Sequence, residues 1–214
     1  MHVSMESPQT STETISKAYY DRNAVEYAAA TRDVDASALY DRFLKYLPPK
    51  ARILDAGSGS GRDTLAFLTR GYDVDAFDSS RALCELSTRL TGIRTRQLHF
   101  QDFEDVDQYD GIWGCASLLH VPQHELVDAI QRLVRSLKDQ GVVYMSFKHG
   151  AGERISADGR FYTDMNAAQL KSLFEDIPGA KLLDVWITQG EGTFKGHTEW
   201  LNAIACKLPQ GENA

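Results

Sequence analysis

Residues Arg52–Thr64 read RILDAGSGSGRDT. An apolar pair and an aspartate run into three glycines in alternate positions, Gly57, Gly59 and Gly61. The pattern is that of a short buried strand turning sharply into a helix. There, free N–H groups point outward and glycine lets another group come close to the backbone. A dinucleotide-binding turn needs G-x-G-x-x-G, but Arg62 stands where its third glycine belongs. This also counts against a nicotinamide-dependent oxidoreductase. A phosphate loop needs G-K-[ST], and this stretch holds no lysine. What remains is G-x-G-x-G behind Asp55, which by itself is weak evidence, a merely tight turn being its other reading.

Outward from this turn the chain alternates. Short apolar runs occupy Arg52–Ala56, Asp73–Phe77, Thr95–His99, Gly111–Ala116, Gly141–Phe147, Lys181–Ile187 and Trp200–Lys207. Helical patterns fall between them at Arg62–Thr69, Arg81–Thr91, His124–Leu137 and Asn166–Asp176. Strand and helix in regular order predict an α/β, doubly wound, mostly parallel sheet with both faces covered. The last two runs follow one another and read as a terminal pair, joined by the GEGTFKG of 190–196. Upstream, Ser16–Ala30 and Ala36–Tyr46 read as helices, and Pro48-Pro49 stops the second. The opening MHVSMESPQTSTET lacks the apolar core of a signal peptide and reads as a disordered leader, 1–14. Residues 15–208 then form one domain: a helical cap, 15–47, and the alternating core, 51–208.

The ends of the next two strands decide what the glycines serve. Strand two runs out in YDVDAFDSS, which puts Asp78 at its C-terminal edge, where a carboxylate can accept from two ribose hydroxyls. Ser79 or Ser80 beside it can equally cap the following helix. After strand three, Gln101-Asp102-Phe103 sets an acid beside an aromatic, which suits an adenine amine and its ring. A solvated loop acid is the other reading, since Glu104, Asp105 and Asp107 follow. Together these strand ends match an adenosine without a pyrophosphate, held where open α/β sheets bind ligands.

Composition narrows the partners. The 214 residues are 43% hydrophobic and 25% charged with a net charge of −7, and no Lys/Arg cluster offers a nucleic acid an electrostatic footprint. Cys84, Cys115 and Cys206 are odd in number and far apart, without zinc or disulfide spacing, which fits a reducing cytoplasm. No apolar run approaches the ~20 residues that span a bilayer. His120, His124, His149 and His197 lack ligand spacing such as H-E-x-x-H, so no metal is expected.

With these motifs in place, the sequence resembles the class I S-adenosylmethionine-dependent methyltransferases. The likeness rests on Asp55, Gly57, Gly59 and Gly61, on Asp78, on the QDF of Asp102, and on the later strings YDGIWGCASLLHVP and LKDQGVVYMSFKHG. GRDT, LLHVP and a WLN strand are similar to the bacterial tellurite-resistance-type methyltransferases. The resemblance implies a Rossmann-like, seven-stranded mixed sheet with the last strand antiparallel, and S-adenosylmethionine as cofactor. It implies that the three glycines approach the methionine and sugar, and that Asp55 orients the loop and the amino group. Asp78, with Ser79 beside it, would hold the ribose, Asp102 and Phe103 the adenine, and Ala116 the amino group. AYYDRNAVEYAAATRD resembles the closing cap, with Tyr20, Tyr27 and Arg32 as carboxylate candidates.

Methyl transfer needs alignment, exclusion of water and sometimes a base. His120, just past strand four, is the candidate base; capping the helix that Pro122 starts is its other reading. Lys148, His149, Arg154, Arg160 and Tyr162, on the loop GAGERISADGRFYTD and just before it, are candidates for gripping an anionic acceptor. The expected function is methylation of a small molecule by a cytoplasmic monomer or homodimer. A tRNA-modifying enzyme and a cofactor-binding sensor without turnover stand as alternatives.

Overall fold

In a computed structural model, residues 12–191 and 197–209 are described. Seven strands form one sheet: β1 (Arg52–Ala56), β2 (Asp73–Asp78), β3 (Thr95–Gln97), β4 (Tyr109–Gly114), β5 (Leu137–Lys148), β8 (Ala180–Glu191) and β9 (His197–Lys207). Their order is β3-β2-β1-β4-β5-β9-β8. The first five strands are parallel, and β9, the last in the chain, runs antiparallel to both its neighbours. Six α-helices among the described residues accompany them: α1 (Thr12–Thr31), α2 (Ser37–Leu44), α3 (Arg62–Thr69), α4 (Arg81–Thr91), α5 (Leu126–Ser136) and α6 (Ala167–Glu175).

Alternation along the strands divides the core in two. Leu54, Ile112, Val143 and Met145 pack on one side with Ile130 and Leu133 of α5 and Leu170 and Phe174 of α6. Ile53, Trp113 and Tyr144 pack on the other with Phe67 of α3 and Tyr40 and Phe43 of α2. There the Trp113 and Tyr144 rings stack 4.0 Å apart. Because β1 lies between β2 and β4, the chain order reverses at its C-terminal end, which opens a crevice beside the glycine turn.

Three expectations need correction. The segment after β5 is no open loop: Gly152–Ile155 (β6) and Phe161–Asp164 (β7) pair as a two-stranded antiparallel sheet of their own. Short β-runs interrupted by Ala157, Asp158 and Gly159 hide this hairpin from periodicity. Second, α2 is not wholly a cap: Phe43 and Tyr40 are spent against the sheet, while Ala38 and Leu39 line the crevice together with residues of α1. Third, α1 begins at Thr12, so 12–14 belong to a helix and not to the leader; residues 1–11 lie outside the described residues, as do 192–196 of the expected GEGTFKG loop.

Candidate functional site

The crevice is a cavity of about 880 Å³, within the ~300–1,000 Å³ of small-molecule sites. The glycine turn floors it, and the three glycines answer to different neighbours. Gly57 has φ +77°, its N–H donates to the Phe77 carbonyl (2.9 Å), and a Cβ on it would strike the Ser117 side chain. Gly61 has φ +88°, and a Cβ there would lie 2.6 Å from Ser87 Oγ of α4. Gly61 therefore serves helix packing and does not line the cavity. Gly59 is the glycine of the floor that lies beneath the ring of Tyr27.

Asp78 ends β2 with both carboxylate oxygens engaged. Gly59 N–H donates to Oδ2 (2.9 Å) and Ser80 N–H to Oδ1 (2.8 Å). Burial still holds its pKa above the usual carboxylate value against these two donors. The cap of α4 is Ser80, whose Oγ accepts from Leu83 N–H (3.2 Å), so Asp78 is left facing the cavity with Ser79. Asp55 sits behind the turn, 2% exposed, taking a 2.6 Å hydrogen bond from Thr64 Oγ1. It does not line the cavity, which restricts it to orienting the loop. Burial, then the nearby Asp63 carboxylate, push its pKa up to about 8.

Asp102 is exposed on a 3₁₀ turn (Phe100–Asp102), while Phe103 is fully buried. Phe103 stacks on Phe77 (5.2 Å), and Phe100 meets the same ring edge-on. The two rings that anchor this turn aim Asp102 away, and Leu98, His99 and Phe100 line the cavity in place of the expected Asp102 and Phe103. Arg32 is likewise exposed and off the cavity. Arg62 takes the inward place: its Nε is 2.6 Å from Asp63 Oδ1 and its Nη1 reaches the Thr31 carbonyl (3.4 Å). Asp63 also accepts from Tyr40 Oη (2.5 Å) and Trp113 Nε1 (2.8 Å). Burial alone would raise its pKa, but the Arg62 guanidinium and these donors hold it below the usual range.

At the end of β4, Ala116 lines the cavity with φ +51°, a left-handed conformation rare for alanine, its N–H donating to Ser146 Oγ (2.8 Å). His120 follows on the 3₁₀ turn Leu118–His120. Its Nδ1 lies 2.6 Å from the Phe161 carbonyl, which can only accept, so Nδ1 carries the proton. Nε2 is then an acceptor, 2.9 Å from Tyr20 Oη, which donates to it. Burial lowers the His120 pKa to about 4 and raises that of Tyr20 to about 12, so both are neutral at pH 7. With its proton committed to His120, Tyr20 has none to offer a carboxylate. Tyr27, whose hydroxyl has no partner among the described residues, and Arg62 can serve one.

None of Lys148, His149, Arg154, Arg160 and Tyr162 lines the cavity. His149 pairs with Glu199 (2.9 Å), Arg154 with Asp164 (2.6 Å) and Arg160 with Asp158 (2.6 Å). Lys148, Arg154 and Arg160 surround the buried Tyr162 ring, at 4.5, 4.8 and 5.4 Å. Asp164 of β7, Asp158 of the turn before it and Glu199 of β9 thus occupy Arg154, Arg160 and His149, which the sequence offered to an anionic acceptor. Arg160 instead turns inward, its Nη1 3.3 Å from Tyr20 Oη. The far wall comes from Tyr144 and Ser146 of β5 and Trp200 and Asn202 of β9, which lie in the quoted LKDQGVVYMSFKHG and WLN strings but were given no site role, and from Thr188 and Gln189 of β8, which carried no motif. Among the described residues, no group of three or more His, Cys, Asp or Glu is placed to hold a metal ion.

Two buried hydroxyls of residues that line the cavity, Ser58 Oγ and Ser117 Oγ, have no hydrogen-bond partner among the described residues. Buried polar atoms are rarely left so. A methyltransferase-domain family model matches residues 27–178, from the cap through α6. The chain belongs to the methyltransferase-domain family. An uncharacterized methyltransferase of Staphylococcus carnosus is 30% identical over 140 residues, 64% of this chain and 67% of that one. The YqeM methyltransferase of Bacillus subtilis is 25% identical over 137 residues, 57% of this chain and 56% of its own length. In three dimensions the chain is similar to the 1,6-didemethyltoxoflavin-N1-methyltransferase of Burkholderia thailandensis (TM-score 0.69, 22% identity, 98% of this chain and 94% of that one). That structure holds 1,6-didemethyltoxoflavin and S-adenosylhomocysteine.

Proposed function

We propose that this methyltransferase uses S-adenosylmethionine to methylate a small, uncharged acceptor. The observation that carries the reading is the glycine turn tied to Asp78, with the orphaned Ser58 and Ser117 hydroxyls beside it. When bound, the cofactor supplies an electrophilic methyl on a sulfonium. Asp78 accepts from the ribose hydroxyls, and Leu98 and Phe100 flank the adenine. Tyr27 and Arg62 meet the carboxylate, and Ala116 presents its backbone to the amino group. The chain's own task is then to exclude water and align the acceptor.

The far wall supports an uncharged acceptor. Asn202 already accepts from Tyr144 Oη (2.7 Å) and donates to Thr188 Oγ1 (3.0 Å), while Arg62 is paired with Asp63. What is left for an acceptor there is apolar surface, chiefly Trp200. Likeness to tellurite-resistance-type proteins rests only on the strings GRDT, LLHVP and WLN. A cytoplasmic monomer or homodimer without nucleic-acid partners remains our reading; no helix among the described residues is long and apolar enough to cross a membrane.

Calorimetry tests the cofactor: S-adenosylhomocysteine should bind and NAD should not. Equal heats for the two ligands, or none for the first, would sink the reading. A methyl-transfer screen over phenols, amines, thiols, carboxylates, metalloids and tRNA, read by S-adenosylhomocysteine release, tests the acceptor. Uniform failure despite cofactor binding would favour a sensor without turnover. On any acceptor found, His120→Ala should lower turnover about 10²-fold or more, the low end of a general base's worth, with cofactor affinity nearly unchanged. Undiminished turnover would reduce His120 to a structural residue.

A further inference from the structure

We propose that Tyr20, with its hydroxyl aimed by His120 and Arg160, is the residue that receives the acceptor's nucleophile, and that it selects a neutral, proton-bearing group of weak basicity. A phenolic or enolic hydroxyl, or an electron-poor ring N–H, is the class it fits. The inference rests on the methyltransferase reading and deepens it.

The argument is one of donors and acceptors. The Phe161 carbonyl takes the Nδ1 proton of His120, so Nε2 must accept, and Tyr20 must spend its only proton on Nε2. Arg160 Nη1 donates to the same phenol oxygen (3.3 Å). Tyr20 lines the cavity, and toward it the oxygen has lone-pair density to offer and no hydrogen. A group without a proton, such as a carboxylate or a thiolate, gains nothing there and faces an electron-rich oxygen. A group X–H is held with its proton on Tyr20 and its other lone pair turned away, free for attack.

Proton balance narrows the class further. As the X–CH3 bond forms and the S–CH3 bond breaks, the X–H proton moves to Tyr20 Oη while the Tyr20 proton moves to His120 Nε2. The products are the methylated acceptor, a neutral thioether and an imidazolium that later sheds its proton to solvent. Facing His120 are Tyr20 and Ser16 of α1 and Tyr162 of β7, with Arg160, Lys148 and Asp158 near enough to act on its charge. Burial and the two cations make this imidazole a weak base, with a pKa of about 4. A methylated hydroxyl, as a protonated ether, is far more acidic than that and gives up its proton. A methylated alkylamine, holding its proton to about pH 10.4, does not.

The test uses the full chain saturated with S-adenosylhomocysteine and 4-nitrophenol as probe, since the phenol and phenolate absorb at different wavelengths. The neutral probe alone can donate to Tyr20, so binding should raise its pKa by about 1 unit or more. Tyr20→Phe should abolish the shift while S-adenosylhomocysteine affinity stays at the wild-type value. A bound phenolate, an unshifted pKa, a shift retained in Tyr20→Phe, or no binding of the probe would overturn the inference. Should the Phe variant fail to fold, the wild-type spectrum still decides between phenol and phenolate. Failure of S-adenosylhomocysteine itself to bind would instead defeat the methyltransferase reading beneath it.

Discussion

Asp63→Ala is expected to cost about 3–5 kcal/mol, the range for breaking a buried charge pair by removing one partner. Asp63 joins three elements at once. It accepts from Arg62 of its own helix, from Tyr40 of α2 and from Trp113 of β4. Removing it strands a largely buried guanidinium, and it leaves the Tyr40 hydroxyl and Trp113 indole N–H without an acceptor in the core. These losses overlap and do not add in full. Tyr40 and Trp113 donate to different oxygens, so Asp63→Asn keeps an acceptor for only one of them and leaves Arg62 uncompensated; it should fall between wild type and alanine. Because the folded pKa of Asp63 lies below its unfolded one, this stability is fully present at neutral pH. It drains only as pH falls through and below the ordinary carboxylate range. Urea unfolding of the two variants measures it. A loss under about 1 kcal/mol for the alanine variant would mean that water takes the carboxylate's place.

Arg62 and Asp63 mark the boundary of what the sequence makes legible. They lie inside the stretch that reveals the turn, yet as the first residues of a helix they look like ordinary solvated charges. Their burial depends on Tyr40 and Trp113, which are 23 and 50 residues away from Asp63. No local pattern carries that information. The architecture was legible because it rests on local periodicity: β1, α3 and α4 begin and end where the apolar runs and caps place them. The positions of Gly59 and Asp78 were legible because a strand's C-terminal edge fixes where its last residue stands. Asp102 was not, since a 3₁₀ turn rotates successive side chains, and the demand of Phe100 and Phe103 for the core decides which of them faces the cavity. The β6–β7 charges failed for a related reason. Arg154 and Arg160 look available in sequence, and only pairing across the hairpin and the turn shows Asp164 and Asp158 consuming them. The wall residues of β8 bore no motif and the WLN of β9 pointed to no site role, because a wall of this kind has no signature beyond an ordinary strand.

Asp78→Ala is expected to act on two measurements together, and the pairing of the two is what identifies its role. The sequence alone suggests a strand-end acid facing an empty crevice with water as partner, and so almost no effect on the cofactor-free protein. The structure changes that half of the expectation. Gly59 N–H and Ser80 N–H each end on an Asp78 oxygen, so the carboxylate ties the glycine turn to the start of α4. Leaving two partly buried N–H groups without their partner should cost about 1–3 kcal/mol of stability. The other half stands on chemistry. Each carboxylate oxygen can accept more than one hydrogen bond, so the two N–H donors leave room for two ribose hydroxyls. Bonds to a charged group are worth about 1.5–3 kcal/mol each and seldom add fully. Affinity for S-adenosylhomocysteine should therefore fall about tenfold to a thousandfold. Part of that fall comes from a loosened turn, and Asp78→Asn separates the parts, because its one remaining carbonyl can keep Gly59 or Ser80 but not serve both N–H groups and both hydroxyls. Melting temperature and calorimetric affinity, measured on both variants, decide the assignment. Destabilised variants that bind at wild-type affinity would leave Asp78 as a tie between loop and helix and remove it from the cofactor site. Equal stability with lost affinity would instead mean that the two N–H groups find water when the carboxylate is gone.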